Sequence, residues 1–364
     1  MNKKICLCAA AALALASCSN DEVVEMAKGD GISFRTVAGL NTRGAETTTA
    51  SVQTSGVYVT TFKTDGSVMY PETKYTHNGG IWSGGQFWEQ ETALNFFLTY
   101  PDVKSWNTTN DFVLKAAGSA DNKIAGFKVA DKVAEQKDYV VAYKNNVAKT
   151  PDAIPATLNH ILSQIEIQAK SSNALYSYEI SGVRIGKVHN TGDFTFPTSV
   201  GNTDPLKFGT FENLQGAQKY EYTFTDNLVT LNTATGGAST LKVDAIGNAM
   251  LIPQTLTAWD GANDGTNTAN NKYISIKVKI TKKGETNPYY NGWAAVGIDG
   301  EWKAGNKYIY TLDLTNGAGK VDPDGPGPDQ VEKPNIPGED IMGGEIKFNV
   351  DVVEWVNTPS DIKM

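Results

Sequence analysis

The feature of this sequence that most constrains its fold is an alternation of apolar and polar residues near the C-terminus. Between Glu345 and Trp355 the apolar side chains stand at every second position: Ile346, Phe348, Val350 and Val352. A period of two gives a β-strand with one apolar face. The run Ile32 to Val37 begins with a similar Ile-x-Phe pattern. The sequence therefore predicts two similar strands at opposite ends of the chain.

A stretch rich in Gly, Pro and Asp, residues 317–344, precedes the terminal run. Proline cannot donate to a β-ladder, and a segment with few apolar residues can bury little surface. We therefore expect the C-terminal strand to hang on a tether. Within this stretch Asp322-Pro323-Asp324-Gly325 is similar to a calcium loop. Its glycine comes too early for the ligand spacing, so we predict no metal site.

The first residues form an export signal. Two lysines precede an apolar run that ends in Leu15-Ala16-Ser17-Cys18, which has the pattern of a lipobox. Such a segment is removed during export and is excluded from the fold. We predict that residues 1–17 are a signal peptide and that Cys18 is acylated, which anchors the protein in the outer membrane. Since Cys6 and Cys8 leave with the signal, no disulfide is expected.

Composition indicates a globular β-protein. Of 364 residues 40% are apolar and 20% charged, with 35 Gly and 15 Tyr. This composition is typical of neither disordered nor membrane-spanning chains, and the length suggests two domains. The formal net charge is −8. Because no cluster of Lys and Arg is available to meet phosphates, nucleic acid is not an expected partner.

Short runs of alternating or β-branched residues predict strands along most of the chain. The first group is Gly56–Phe62, a return strand from Val68, Ala93–Tyr100, Asp111–Leu114, Ile124–Val129 and Asp138–Ala142. The second group is Tyr176–Ile180, Val183–Val188, Lys219–Phe224, Met250–Ile252, Tyr273–Ile280 and Lys307–Leu314. Residues Leu158 to Ala169 fit a helix or a strand, and their β-branched residues favour the strand.

Glycine and proline clusters mark the breaks between these runs. The chain around Trp82 contains two clusters that predict turns, Asn78-Gly79-Gly80 and Ser83-Gly84-Gly85. Two prolines between Thr150 and Pro155 break any regular element, so a domain boundary is placed there.

Motifs that carry chemistry are scarce. The sequence has no His-Glu-x-x-His, no Gly-x-Ser-x-Gly and no phosphate loop, and its three histidines are far apart: His77, His160 and His189. We therefore predict neither enzymatic activity nor a cofactor. His160 is interpreted as a satisfied core or edge residue. Three tryptophans are interpreted as packing residues rather than a sugar platform: Trp82, Trp88 and Trp302.

Four ordered blocks resemble a known family: Leu94–Pro101, Leu158–Ile165, Leu251–Gln254 and Trp302–Tyr310. With a lipobox before them and Val-x-x-Trp after them, they resemble the fimbrillin family, the type V pilins and Mfa-like lipoproteins of Bacteroidales. The resemblance spans about residues 32 to 355. It implies an all-β fold of two transthyretin-like antiparallel β-sandwich domains in tandem, with a tethered C-terminal strand. The expected segments are 18–43 with a removable strand, sandwiches 44–155 and 156–316, linker 317–344 and strand 345–364.

The resemblance also implies functional residues. Cys18 would carry the lipid, and an Arg-specific surface protease would cut between Arg43 and Gly44, with Arg35 as the alternative. The removed strand would contain Ile32, Phe34 and Val37. The strand donated to a neighbouring subunit in a homopolymer would contain Ile346, Phe348, Val350, Val352 and Trp355.

These implications favour a stalk pilin of a cell-surface fimbrium that supports adhesion. A surface glycan-binding lipoprotein would use exposed aromatic residues and need neither Arg43 nor a tethered strand. A fimbrial tip or anchor would not polymerise at both ends. A secreted glycosidase would need a cleft with paired acidic residues. The C-terminal strand also has an alternative: it is donated, or it closes the second sandwich of its own subunit.

Overall fold

The computed structural model describes residues 30–37, 49–89, 92–106, 112–200, 204–224, 228–241, 247–262 and 271–355. The described chain is nearly all β, which confirms the predicted fold class. Its one α-helix, α1, covers Thr49–Ser55. Short 3-10 turns lie at Val103–Ser105, Val133–Glu135 and Pro205–Phe208.

The first part of the chain builds one large sheet. The strands of this part are β1 (Gly31–Val37), β2 (Val57–Lys63), β3 (Val68–Asn78), β4 (Ile81–Phe87), β5 (Leu94–Tyr100), β6 (Lys123–Lys128), β7 (Val140–Val147), β8 (Ile154–Thr157) and β9 (Asn159–His160). All of them except β6, which joins another sheet, belong to the large sheet. The order in the sheet is β8-β1-β4-β3-β2-β5-β7-β9. Its pairs are antiparallel except β1 with β8, which is parallel. The sequence neighbours β1 and β2 are therefore separated in space.

The second part supplies the other strands: β10 (Ser163–Lys170), β11 (Tyr176–Val188), β12 (Thr191–Thr195), β13 (Thr210–Gln215), β14 (Gln218–Thr223), β15 (Val229–Thr230), β16 (Ser239–Thr240), β17 (Ala249–Leu251), β18 (Gln254–Ala258), β19 (Asn271–Lys282), β20 (Tyr290–Gly297), β21 (Gly300–Trp302), β22 (Asn306–Asp313), β23 (Lys320–Val321) and β24 (Lys347–Glu354).

Two sheets of the second part face each other across one core. One has the order β16-β10-β22-β24, with β17 also on β10. The other has the order β14-β11-β19-β18-β21, with β20 added to β19 and β23 to β20. Alternate residues of each point inward, so Ile165, Tyr310, Ile276 and Val278 meet in one buried cluster. The ambiguous run after residue 158 forms strands, as predicted.

The two parts of the chain are also joined by a small sheet. β6 of the first part pairs with β12 of the second, and β12 pairs with β13. Next to it, aromatic rings from both sides of residue 155 pack together: between ring centroids, Trp106 lies 5.5 Å from Phe196 and Phe127 lies 5.4 Å from Phe211. The residues on either side of the predicted domain boundary therefore share part of their core.

Three local predictions are wrong. Residues 112–114, the described part of Asp111–Leu114, form no strand. Directly after them the Lys115 N–H donates to the Asn122 side chain at 2.8 Å rather than to a neighbouring strand. Ser83-Gly84-Gly85 lies inside β4 rather than in a turn. Pro155 lies inside β8, which among the described strands pairs only with β1 and thus is an edge strand, where proline is tolerated.

Candidate functional site

The N-terminal strand β1 occupies an internal slot of the first sheet. On one side it pairs antiparallel with β4, where Phe34 lies opposite Trp82. On the other side it pairs in parallel with β8, where Arg35 lies opposite Pro155. β1 is therefore the only link between β8 and the rest of the sheet order. Without β1, the facing edges of β4 and β8 would lack ladder partners.

The inward face of β1 is completely buried. Ile32 and Phe34 have 1% and 0% of their surface exposed. The Phe34 ring meets Tyr75 edge-on at 5.5 Å and Phe96 at 5.2 Å between ring centroids. A Cβ on Gly84 would lie 2.4 Å from the Tyr75 ring, so only glycine leaves room for that ring beside β1. The slot thus combines two backbone edges with fitted apolar pockets.

The C-terminal strand β24 lies at the edge of a different sheet. It pairs antiparallel with β22 along its whole length, from Lys347 opposite Asp313 to Glu354 opposite Asn306. Among the described strands it has no partner on its other side. Val352 and Val353 are 54% and 44% exposed. In the single chain, therefore, this strand closes the second body of its own subunit, but only on one side.

Both ends of β24 are anchored. Before the strand, Ile346 is buried and packs against Gly319. After it, the Trp355 N–H donates to Gly305 O at 2.7 Å. The Trp355 ring stacks on His160 at 3.9 Å between centroids.

His160 is buried, as the sequence analysis predicted, but only its Nδ1 has a hydrogen-bond partner among the described residues, whereas its Nε2 has none. Its Nδ1 lies 2.7 Å from the Asp138 carboxylate. Beside the stack of His160 and Trp355 is a cavity of about 980 Å³, and its rim includes Phe208, Phe211, Glu354 and Trp355. Because β24 contributes to that rim, the shape of the cavity depends on the position of this strand.

The expectation that residues 317–344 bury little is wrong. Val321, Asp322 and Ile341 are fully buried, and β23 pairs with β20. Charge adds to the attachment that these buried apolar residues provide. The Asp322 carboxylate pairs with the buried Arg184 guanidinium at 2.9 Å and accepts from the Ser275 hydroxyl. Segment 317–344 is therefore clamped to the second body in this chain.

The same ion pairs explain the Asp322-Pro323-Asp324-Gly325 motif. Asp322 binds Arg184, whose guanidinium also pairs with Glu221 at 2.8 Å and lies 4.1 Å over the Trp293 ring. Asp324 pairs with Lys219 at 2.7 Å. Among the described residues, no group of three or more His, Cys, Asp and Glu is arranged to hold a metal ion. The carboxylates of the motif serve as anchors for the segment.

The sequence-predicted processing residues Cys18, Arg43 and Gly44 lie outside the described residues. The alternative cleavage residue Arg35 is within β1, with an exposed side chain on a backbone that pairs with β8. Val37, at the end of β1, pairs with Thr157.

The tryptophans interpreted as packing residues are buried, which confirms that interpretation: Trp82, Trp88 and Trp302. In the described part of the chain no helix is long and apolar enough to cross a membrane.

Sequence reasoning missed the partners of β1. The proline in β8 argues against a strand in the sequence. Gly84 is predicted to lie in a turn, although a glycine within a strand also indicates that another group approaches closely. Tyr75 gave no signal in the sequence. The Arg184 to Asp322 pair joins residues too distant in sequence for any pattern to connect them.

The sequence profile of fimbrillin-like proteins matches residues 42–325. A fimbrial protein from Bacteroides vulgatus has a similar structure, with 13% identity, coverage of 89% of this chain and 99% of that chain, and a TM-score of 0.55. A cell adhesion protein from Parabacteroides distasonis, described as putative, gives 13% identity, 90% and 98% coverage and a TM-score of 0.47. The tip fimbrial protein Mfa3 from Porphyromonas gingivalis, with a C-terminal truncation, gives 8% identity, coverage of 89% of this chain and 99% of that chain, and a TM-score of 0.39. A comparison with curated proteins found no match.

Proposed function

Because this chain belongs to the fimbrillin-like family of fimbrial and cell-adhesion proteins, we propose that it is a stalk subunit of a cell-surface fimbrium. It is exported as a lipoprotein through Cys18, cut between Arg43 and Gly44 by an Arg-specific surface protease, and assembled with other copies by strand exchange. The cut releases β1, and β24 of a neighbouring copy fills the vacated slot. The resulting polymer supports adhesion.

The observation that carries this proposal is the unequal pairing of the two terminal strands. β1 has a ladder on both sides, whereas β24 has one on a single side. Phe34 is fully buried, whereas Val352 is more than half exposed. A strand that moves from the edge of β22 into a vacated slot exchanges one ladder for two. It also covers apolar surface that is exposed in the single chain.

Cleavage gives the exchange its direction. In the uncut chain β1 is held in its slot as part of the same molecule, at a high effective concentration. After a cut at Arg43, β1 belongs to a separate fragment that carries the lipid on Cys18. The bare edges of β4 and β8 are costly to leave open because their N–H and C=O groups lack partners. A neighbouring β24 is then favoured as the replacement.

The side chains add to the energy of exchange. Phe348 and Val350 are half-buried on β22, and Val352 is exposed. Complete burial of one such side chain contributes about 1.5 to 3 kcal/mol, so finishing the burial of these three adds roughly 2 to 5 kcal/mol. Since each copy gives one strand and receives one, the contact is head-to-tail and grows an open filament.

The first test is the start of the mature subunit. N-terminal sequencing of sheared fimbriae should return Gly44. Arg43→Ala should leave β1 attached and yield monomer, whereas Arg35→Ala, which changes an exposed residue of β1, should still assemble. Subunits that begin at Thr36 would move the cut to Arg35, and subunits that begin at Cys18 would exclude the release of β1.

The second test is removal of the donor. A chain that lacks residues 345–364 should give no heat-resistant multimers on a gel. The monomer should survive with a lower melting temperature, because the deletion bares the edge of β22. Multimers that persist would contradict strand donation. Sheared wild-type material that stays monomeric would instead favour a surface glycan-binding lipoprotein.

A further inference from the structure

We propose that the slot of β1 fixes both the register and the direction of the incoming strand, with Ile346 in the place of Ile32 and Phe348 in the place of Phe34. This inference rests on the strand exchange proposed above. It adds which side chain enters which pocket, and it makes the order Ile-x-Phe a determinant of which strands are accepted.

The Phe34 pocket is built for one aromatic ring. Tyr75 and Phe96 both meet the Phe34 ring edge-on, and no part of that ring is exposed. Edge-to-face contacts of this kind add to the energy of burial. Phe348 is the only phenylalanine in residues 345–364. The larger Trp355 in this pocket would force the surrounding rings apart.

The neighbouring positions fix the register. Ile32-Ser33-Phe34-Arg35 and Ile346-Lys347-Phe348-Asn349 share their apolar positions and place polar residues on the outer face. A shift of two residues would place Val350 in the Phe34 pocket and leave a cavity, while Phe348 would overfill the Ile32 pocket.

The direction follows from the same two pockets. A reversed strand that brings Ile346 to the Phe34 pocket brings Phe348 to the Ile32 pocket, so one pocket is underfilled and the other overfilled. A reversed strand that keeps Phe348 in the Phe34 pocket brings Val350, which is smaller than isoleucine, to the Ile32 pocket and leaves a cavity there. The incoming strand therefore runs as β1 does, parallel to β8 and antiparallel to β4.

Position 155 can report this arrangement. Arg35 of β1 pairs with Pro155 of β8, and both side chains are exposed. In the proposed register Asn349 of the neighbour takes the place of Arg35. Glu345 takes that place in a reversed strand that has Ile346 in the Phe34 pocket, and Asp351 takes it after a shift of two. All three cysteines of the chain precede Arg43, so subunits cut there carry no natural thiol.

The experiment compares three chains that each carry Pro155→Cys together with Glu345→Cys, Asn349→Cys or Asp351→Cys. Sheared fimbriae are treated with a short reagent that carries two maleimide groups, each of which adds one cysteine thiol across its double bond, and are separated as denatured chains. The Asn349→Cys chain should give covalent dimers and higher multimers, and the other two should give few. A link within one chain migrates as monomer and is not counted.

Each result has a defined reading. Preferred linkage through position 345 overturns the direction, and preferred linkage through position 351 overturns the register, while strand exchange stands in both cases. Multimers without linkage in any of the three chains overturn the register or the direction, since a reversed strand with Phe348 in the Phe34 pocket would bring Lys347 opposite position 155. If a chain that lacks residues 345–364 still forms multimers as wild type does, strand exchange itself fails.

A swap variant tests the order of the two residues without changing their combined volume. Ile346→Phe combined with Phe348→Ile should lose its heat-resistant multimers at a temperature at which wild type retains them. Exchange of the outer residues, Lys347→Asn with Asn349→Lys, is the matched control and should retain them. A swap variant that is as resistant as wild type would overturn the assignment of pockets.

Discussion

The two terminal strands share an Ile-x-Phe start but differ in what surrounds them. β1 lies between two strands, and Phe34 is sealed among aromatic rings. β24 lies at an edge, where Phe348 is half-buried and touches Tyr310 at 6.0 Å between centroids. The burial of these two phenylalanines is therefore determined by the strands and side chains that surround each one. The same pattern gives a fixed core strand in one place and a replaceable edge strand in the other.

Phe34→Ala should have the largest effect on the uncut chain. Removing a fully buried phenylalanine ring leaves a cavity, so the free energy of unfolding should fall by about 3 to 5 kcal/mol. Urea unfolding of the full chain measures this loss. Ser33→Ala, on the outer face of the same strand, is the control and should change little. A loss below about 1 kcal/mol for Phe34→Ala would mean that β1 is not a core strand.

Alternation in the sequence located both terminal strands but not their partners. β1 meets β8 more than a hundred residues later in the chain, and no local pattern specifies such a pairing. Pro155 argued against a strand at that point, although an edge position tolerates it. The sequence thus predicted which residues face inward and could not predict which strands enclose them.

Segment 317–344 shows a different limit. Its low apolar content predicted a tether, yet Asp322 is fully buried because Arg184 neutralises it. The partner lies on β11, far from the segment in sequence. Ion pairs of this kind leave no periodic signal, so composition alone underestimated how firmly β24 is held through the residues before it.

Asp322→Asn should have the second largest effect, and it acts on the β24 side of the comparison. Loss of one member of a buried ion pair leaves Arg184 partly uncompensated, so stability should fall by about 3 kcal/mol. Asp329→Asn is the control, since Asp329 forms an exposed pair with Lys277 and should change stability by less than about 1 kcal/mol.

Hydrogen exchange of the Asp322→Asn chain can separate the two strands. Protection should fall in β23 and β24 and stay unchanged in β1, because the ion pair belongs to the second body. Equal loss of protection in both terminal strands would contradict the view that each is held by its own set of contacts.

Phe348→Ala should have a smaller effect on the single chain. Because this ring is half-buried on β22, its removal should cost about 1 to 2 kcal/mol in urea unfolding. Its effect on assembled fimbriae should be larger, since the ring would be sealed in the slot of β1. Multimer resistance to heat measures that second quantity. A variant that weakens monomer and polymer equally would contradict a more enclosed position in the polymer.

The smallest effect should come from pH, which acts differently on the two sheets. In the sheet of β1, burial and the nearby Asp102 raise the pKa of Glu72 to about 7. In the sheet of β24, burial opposes ionisation of Glu166, but Lys307, Gln168 and Asn248 lower its pKa overall. Glu166 therefore contributes constant stability above about pH 4.5, where it is ionised in the folded and the unfolded chain.

Glu72 behaves in the opposite way. Because its pKa is higher in the folded chain than in the unfolded chain, the folded chain binds more protons between about pH 4.5 and 7, and stability falls as pH rises through this range. Glu72→Gln resembles the protonated form at every pH. Wild type and variant should therefore melt alike at about pH 5, and the variant should melt higher at about pH 7.5. Glu135→Gln, which changes an exposed carboxylate, should follow wild type.

Hydrogen exchange tests whether this effect of pH reaches β1. If pH weakens the sheet that holds β1, exchange of the β1 amides should speed up toward pH 7.5, beyond the intrinsic effect of pH, in wild type and not in Glu72→Gln. Equal acceleration in β24 would show that the two sheets respond as one.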